Sequence, residues 1–207
     1  MTQPDYSPSA DRNKQPILDA LLQFLPAQGT ALEIASGTGQ HLAWFARRLP
    51  GWTWQPTEAQ VSALAGIQAR TVQAGLANVL APVQLDVCAD PWLPNRPGTN
   101  AAPTFNLIFC ANMLHIAPWS ACAALMRGSA RHLAAGGVLV TYGPYLEADV
   151  PTAPGNLNFD ASLRQRDARW GIRRREDVQR EAGHAGLRLS ARHAMPANNL
   201  LLVWEQN

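Results

Sequence analysis

Cysteine is scarce in this chain. There are three in 207 residues, Cys88, Cys110 and Cys122, and no two form a C-x-x-C pair. That spacing offers neither a disulfide framework nor a thiolate metal site. The three read as buried free thiols in a reducing compartment, the cytoplasm. No apolar run reaches the length of a membrane span. Charge is also sparse: charged residues make up 15% of the chain against 47% hydrophobic, and the formal net charge is +2. A disordered chain shows the opposite balance. A net charge this small gives no reason to expect a nucleic-acid or membrane partner. The leader MTQPDYSPSADRNKQ is polar and interrupted by Pro4 and Pro8, so it lacks the apolar stretch of a signal peptide. No Gly-Lys-Ser/Thr ending exists for a phosphate-binding P-loop, and no metal ligand set is expected. A single domain of this length buries roughly 70% of its unfolded surface and needs no metal or disulfide to hold its core.

What the chain does have is an alternation of short apolar runs with amphipathic stretches, the mark of a parallel sheet covered by helices. Strands are expected at 31–35, 52–56, 83–87, 105–110, 138–142, 187–189 and 200–204. Helices are expected at 12–25, 40–49, 61–74, 118–133 and 175–185. The last two strands are joined by too short a connection for a crossover helix, so they form an antiparallel pair at one edge. The expected fold is therefore α/β, a three-layer doubly wound, mostly parallel seven-stranded sheet with an antiparallel last strand. One domain covers 1–207. Residues 90–104 read as a proline-rich loop. Residues 143–170 read as an irregular insertion, a substrate-side lid within the domain.

The first strand runs into Glu33-Ile34-Ala35-Ser36-Gly37-Thr38-Gly39. Gly37 and Gly39 let the backbone turn sharply and approach a ligand, and the helix behind them presents unpaired N–H groups. Glu58 follows the second strand, nineteen residues past Gly39, and Asp86 ends the third. An acidic residue about 20 positions beyond the glycines suits ribose hydroxyls. Asp86 can reach an adenine amino group. Taken singly these are a tight turn and two solvated acids; in register at three strand ends they indicate a nucleoside site. Leu42 stands where a dinucleotide fingerprint wants a small residue, which argues against NAD.

These residues, with L-A-A-G-G-V-L, resemble the class I S-adenosylmethionine (SAM) methyltransferases over essentially the whole chain. More narrowly, S-P-S-A-D-R-N-K-Q-P-I-L, W-Q-P-T-E, N-M-L-H-I-A-P-W, Y-G-P-Y, N-F-D-A-S-L-R-Q-R-D-A-R-W-G-I-R and M-P-A-N-N-L resemble the methyltransferase-like family called domain of unknown function 938. The resemblance implies a seven-stranded sheet and bound SAM, and no established substrate. It implies that Ser36, Gly37, Thr38 and Gly39 face the methionine part of SAM. Glu58 would take the ribose hydroxyls, Asp86 would bind adenine N6 with Val87 beside the ring, Asn112 would lie near the sulfur, and Glu33 would support the loop. It also tilts Arg12 and Asn13 toward the cofactor carboxylate, where they would otherwise be a solvated helix start.

Methyl transfer needs positioning, and a base only when the nucleophile must lose a proton. Cys110-Ala111-Asn112-Met113 lacks the Asn/Asp-Pro-Pro-aromatic of amino-group methylases of nucleobases and glutamine. His115 is a candidate base, or else a helix cap. Tyr142 and Tyr145 either line the same mouth or pack with their phenol tips wet. Asn156, Phe159 and Arg164 are substrate candidates on the lid, or loop chemistry only. The expected function is methylation of a small-molecule acceptor. A non-catalytic protein that binds SAM or S-adenosylhomocysteine (SAH) and acts through partners, and a protein or RNA methyltransferase, are the alternatives. The acceptor atom and the oligomeric state are not readable from the chain.

Overall fold

A computed structural model describes residues 5–96 and 98–207. Pro4 of the polar leader and Pro97 of the proline-rich loop lie outside the described residues. The sheet runs β3-β2-β1-β4-β5-β8-β7. The order steps outward from β1 (Gly29–Ile34) to β2 (Trp52–Glu58) and β3 (Val83–Gln84) on one side. On the other side come β4 (Phe105–Ala111), β5 (Leu133–Leu146), β8 (Asn199–Gln206) and the edge strand β7 (Leu187–Met195). Pairings through β5 are parallel, and β8 is antiparallel to both β5 and β7. The expected mostly parallel, doubly wound architecture is present. A two-residue strand, β6 (Arg173–Arg174), pairs off the main path with the end of β5.

β1 is central because Ala31 to Ile34 are all buried, as a parallel strand covered on both faces requires. Its side chains alternate between two cores. Ala31 joins Leu107, Phe109, Trp52 and Trp54 under α1 (Pro8–Leu21), α2 (Gln40–Arg48) and α3 (Val61–Gln73). Leu32 and Ile34 join Ile108 and Cys110 under α4 (Trp119–His132) and α6 (Arg175–His184).

Several boundaries differ from expectation. α1 starts at Pro8, four residues before the expected start at residue 12, because Ser7 caps it through the Ala10 N–H at 3.3 Å and Pro8 occupies its first turn. β3 stops at Gln84, short of Asp86, whose carboxylate instead accepts the Cys88 N–H at 2.9 Å and turns the chain. Residues 135–137, between the expected helix and the expected strand, are the irregular start of β5. Gly136 has φ +72°, and a Cβ on Gly137 would stand 2.7 Å from the Phe105 carbonyl oxygen, so only glycine allows this approach. The segment 143–170 is not irregular throughout: β5 continues to Leu146 and α5 spans Pro154–Arg166. Cys88 is exposed, whereas Cys110 and Cys122 are buried.

Candidate active site

The glycine loop is assembled by backbone bonds that tie β1 to β2. The Ser36 N–H donates to the Thr57 carbonyl at 2.9 Å, the Thr57 hydroxyl to the Glu33 carbonyl at 2.7 Å, and the Gly39 N–H to the Ser36 carbonyl at 2.8 Å. Gly37 (φ +54°) and Gly39 (φ +70°) adopt the left-handed conformation that the loop needs. A Cβ on Gly37 would meet nothing closer than 4.0 Å, so the loop leaves open space there. Arg70 of α3 braces the loop from behind, donating to the Thr38 carbonyl at 2.7 Å.

Two non-glycine residues, Ala35 (φ +54°) and Asn112 (φ +60°), also adopt positive φ, at the carboxyl ends of β1 and β4. Positive φ in alanine is uncommon and costs on the order of 1 kcal/mol or more. Both residues face one cavity of about 530 Å³, within the range of small-molecule sites. Ser36, Gly37, Thr38, Glu58, Asp86 and Val87 line the same cavity, so with Asn112 seven residues chosen from the sequence converge on it. Gly39 stands behind the loop against α3, and Glu33 lies beneath it, 2% exposed.

The electrostatics are specific. Glu58 accepts the Gly37 N–H at 2.9 Å with one carboxylate oxygen and the Ala59 N–H at 2.8 Å with the other. Burial pushes the Glu33 carboxyl up to about 8, and the nearby Glu58 charge adds to the effect. Glu33 Oε2 and Ser36 Oγ are buried without a hydrogen-bond partner. Such groups are costly unless a ligand or water completes them. Together the orphaned Ser36 hydroxyl, the open face of Gly37 and two carboxylates on one cavity fit an adenosyl amino acid.

A second cavity of about 480 Å³ adjoins the first. Ser7, Asn112 and Ile116 line both. The second chamber collects Arg12, Asn13, His115, Tyr142, Asn156 and Phe159. Arg12 and Asn13, tilted toward the cofactor carboxylate by the resemblance, thus line the second chamber and not the first. Burial holds His115 down to about 4, and the charges of Arg173 and Arg166 act in the same direction. Its imidazole is therefore neutral near pH 7 and meets Phe159 edge-on at 5.5 Å between ring centres. Arg173 clasps the segment that carries His115. It donates to the carbonyls of Leu114 at 3.0 Å and Ala117 at 2.6 Å. Burial raises the Tyr142 phenol, and Asn13 and Asn199 beside its hydroxyl act against the rise.

Two expected substrate residues lie elsewhere. Tyr145 is buried on the other face of β5, its hydroxyl donating to Thr141 at 2.9 Å. Arg164 pairs with Asp160 at 2.8 Å on α5, away from both chambers. Asn199 was not among the expected site residues, although M-P-A-N-N-L marked its neighbourhood. Ala197 and Asn198, both at positive φ, turn the chain so that Asn199 reaches Tyr142. Among the described residues there is no cluster of metal ligands, and no helix is long and apolar enough to cross a membrane.

The family described as "Protein of unknown function (DUF938)" matches residues 4–206. The chain belongs to this family. The fold is also shared with solved structures at low identity. An O-methyltransferase family 2 protein from Planctomyces limnophilus, in complex with apigenin, is 18% identical, with a TM-score of 0.77 over 96% of this chain and 60% of that one. The mitomycin 7-O-methyltransferase MmcR is 14% identical, with a TM-score of 0.78 over 96% and 55%. CalO1, a methyltransferase in calicheamicin biosynthesis in its SAH-bound form, is 15% identical, with a TM-score of 0.71 over 97% and 61%. This DUF938 chain spans a little over half the length of these proteins.

Proposed function

We propose that this chain is a SAM-dependent methyltransferase acting on a small-molecule acceptor. The observation that carries the reading is the pair of adjoining chambers, one lined by the glycine loop with Glu58 and Asp86, the other ending at a neutral histidine. The fold neighbours support it: two are O-methyltransferases and one is an SAH-bound methyltransferase.

In this reading the loop Ser36 to Gly39 and the orphaned Ser36 hydroxyl hold the amino-acid part of the cofactor. Glu58 takes the ribose hydroxyls, and Asp86 with Val87 takes the adenine. When bound, SAM supplies a methyl group already activated on a sulfonium sulfur, so the protein's task is alignment. Asn112, shared by both chambers, stands at their junction. His115 receives the proton of a hydroxyl acceptor, which its neutral imidazole can do at pH 7. Tyr142, flanked by Asn13 and Asn199, orients that acceptor. Asn156 and Phe159 bring α5 to the chamber as one wall.

The decisive experiment is calorimetric titration with SAM and SAH, followed by transfer of a labelled methyl group into a panel of phenols and hydroxy acids. Saturable binding that weakens in Glu58→Ala, together with label transfer that disappears in His115→Ala, is the expected result. Absence of SAM binding would overturn the reading.

A further inference from the structure

Two features of the acceptor chamber bear on the chemistry of its ligand. Arg12 is its only formally charged described residue, and no aspartate or glutamate lines it. Arg12 lies on the first turns of α1, at the exposed rim, and its single side-chain contact is the Ser9 hydroxyl of its own helix at 3.4 Å. The adjacent acid, Asp11, is taken by Lys14. Arg12 thus has no carboxylate partner among the described residues, unlike Arg131, Arg164, Arg169, Arg175, Arg180, Arg188 and Arg192.

The charge behind His115, outside the chamber lining, has the same sign. Arg166 and Arg173 are close enough to His115 to oppose its protonation, and the one acid that faces Arg173, Asp160 on α5, is already paired with Arg164. The remaining polar walls are neutral, the amides of Asn13, Asn112, Asn156 and Asn199 with the hydroxyls of Ser7, Ser9 and Tyr142, which tolerate an anion and supply hydrogen-bond donors. A positive field over a concave chamber that lacks its own counter-charge selects negative ligands. A guanidinium is suited to bidentate capture of a carboxylate.

We propose that the acceptor is a hydroxylated small molecule bearing a carboxylate, held by Arg12 at the chamber rim while its hydroxyl points toward His115. This rests on the methyltransferase reading and adds the substrate class to it. An anionic acceptor also meets a mechanistic need. Its charge offsets Arg166 and Arg173, so the imidazole can hold the transferred proton more readily once the ligand is bound.

The test is binding to SAH-saturated protein, with 3- and 4-hydroxybenzoate as probes against the matching hydroxybenzamides. The acids are expected to bind at least tenfold tighter than their amides. The ratio should fall to near one in Arg12→Gln and recover in part in Arg12→Lys, with SAH affinity unaltered in both variants. Acids that bind no better than amides, including the case where neither binds, overturn the proposal, as does a ratio that survives Arg12→Gln. Loss of SAH affinity in Arg12→Gln would assign Arg12 to the cofactor's own carboxylate and also overturn it. Failure of SAH to bind wild-type protein is a separate result and would remove the methyltransferase reading itself.

Discussion

The Glu58 carboxylate accepts the Gly37 N–H at 2.9 Å, so the acid at the end of β2 and the glycine at the end of β1 hold each other in the ligand-free protein. The glycine loop is preorganised by the same side chain that takes the ribose in the proposed reading. Glu58→Ala removes a charged acceptor from the loop and from the ligand together. Hydrogen bonds to charged groups contribute about 1.5–3 kcal/mol, which is roughly 10- to 100-fold in affinity. The SAM dissociation constant should rise by that factor in calorimetry. Glu58→Gln, which retains one acceptor oxygen, should lose less.

Gly39 tests the backbone rather than the side chains. At φ +70° a β-branched residue is strained, although its Cβ would meet Ile67 Cγ2 only at an ordinary contact distance of 3.5 Å. Gly39→Val should cost roughly 1–3 kcal/mol of stability. In a domain of this size each kcal/mol lowers the melting temperature by about 2–4 °C. Thermal melts and SAM titration should report both a lower Tm and lost binding. Gly37→Ala adds a Cβ into open space but keeps the positive-φ strain, so it should show a milder loss of stability.

Three buried groups give stability an asymmetric pH dependence. Burial lowers His41 and His115 to about 4, so the unfolded chain binds more protons than the native one between about 4 and 6.5. Stability rises with pH across that window. Glu33 is raised to about 8 from an ordinary 4.5, so the native state binds more protons between those values and stability falls as pH rises through them. Two histidines outweigh one glutamate below 6.5, and the glutamate acts alone above it. Urea unfolding from pH 5 to 9 should therefore peak near 6.5. Glu33→Gln should flatten the alkaline side and leave the acid side in place.

For His115 the expected effect is on chemistry. Removing a positioned base lowers rates by roughly 10²- to 10⁴-fold. His115→Ala should reduce single-turnover methyl transfer by that amount while the SAM affinity stays within twofold. The acid limb of wild-type kcat/KM should lie well below 6.5, because the free imidazole titrates near 4.

Much of this arrangement is legible in the chain itself, for identifiable reasons. β1 and β4 are buried on both faces, so their apolar runs are unmistakable. The loop and its acids sit at strand ends with fixed spacing, so local sequence places Ser36 to Thr38, Glu58 and Asp86 on one cavity. α5 is not legible: it buries only Leu163, so no apolar stripe marks it as a helix. Asn199 and Ser7 reach the site from opposite ends of the chain, through a positive-φ turn and a helix cap, and no short-range pattern connects them to it. The error at Tyr145 has a different origin. Tyr142 and Tyr145 are three residues apart on one strand, and side chains alternate faces with a period of two. Only one of them can line a given chamber.

That parity gives a prediction opposite to the usual reading of a tyrosine near a site. Tyr142 faces the α1 side and the acceptor chamber, while Tyr145 faces the α4 side with its hydroxyl on Thr141. Thr141 Oγ1 also accepts the Trp204 indole N–H at 3.0 Å, so it keeps a partner when the phenol is removed. Tyr145→Phe should therefore cost only about 0.5–1.5 kcal/mol, the net contribution of one hydrogen bond. Tm should fall by a few degrees with methyl transfer unaltered. Tyr142→Phe should do the reverse. The phenol contacts Asn13 and Asn199 and lines the chamber, so acceptor KM should rise severalfold with little change in Tm. If Tyr145→Phe abolished transfer while Tyr142→Phe did not, β5 would present the opposite face to the acceptor.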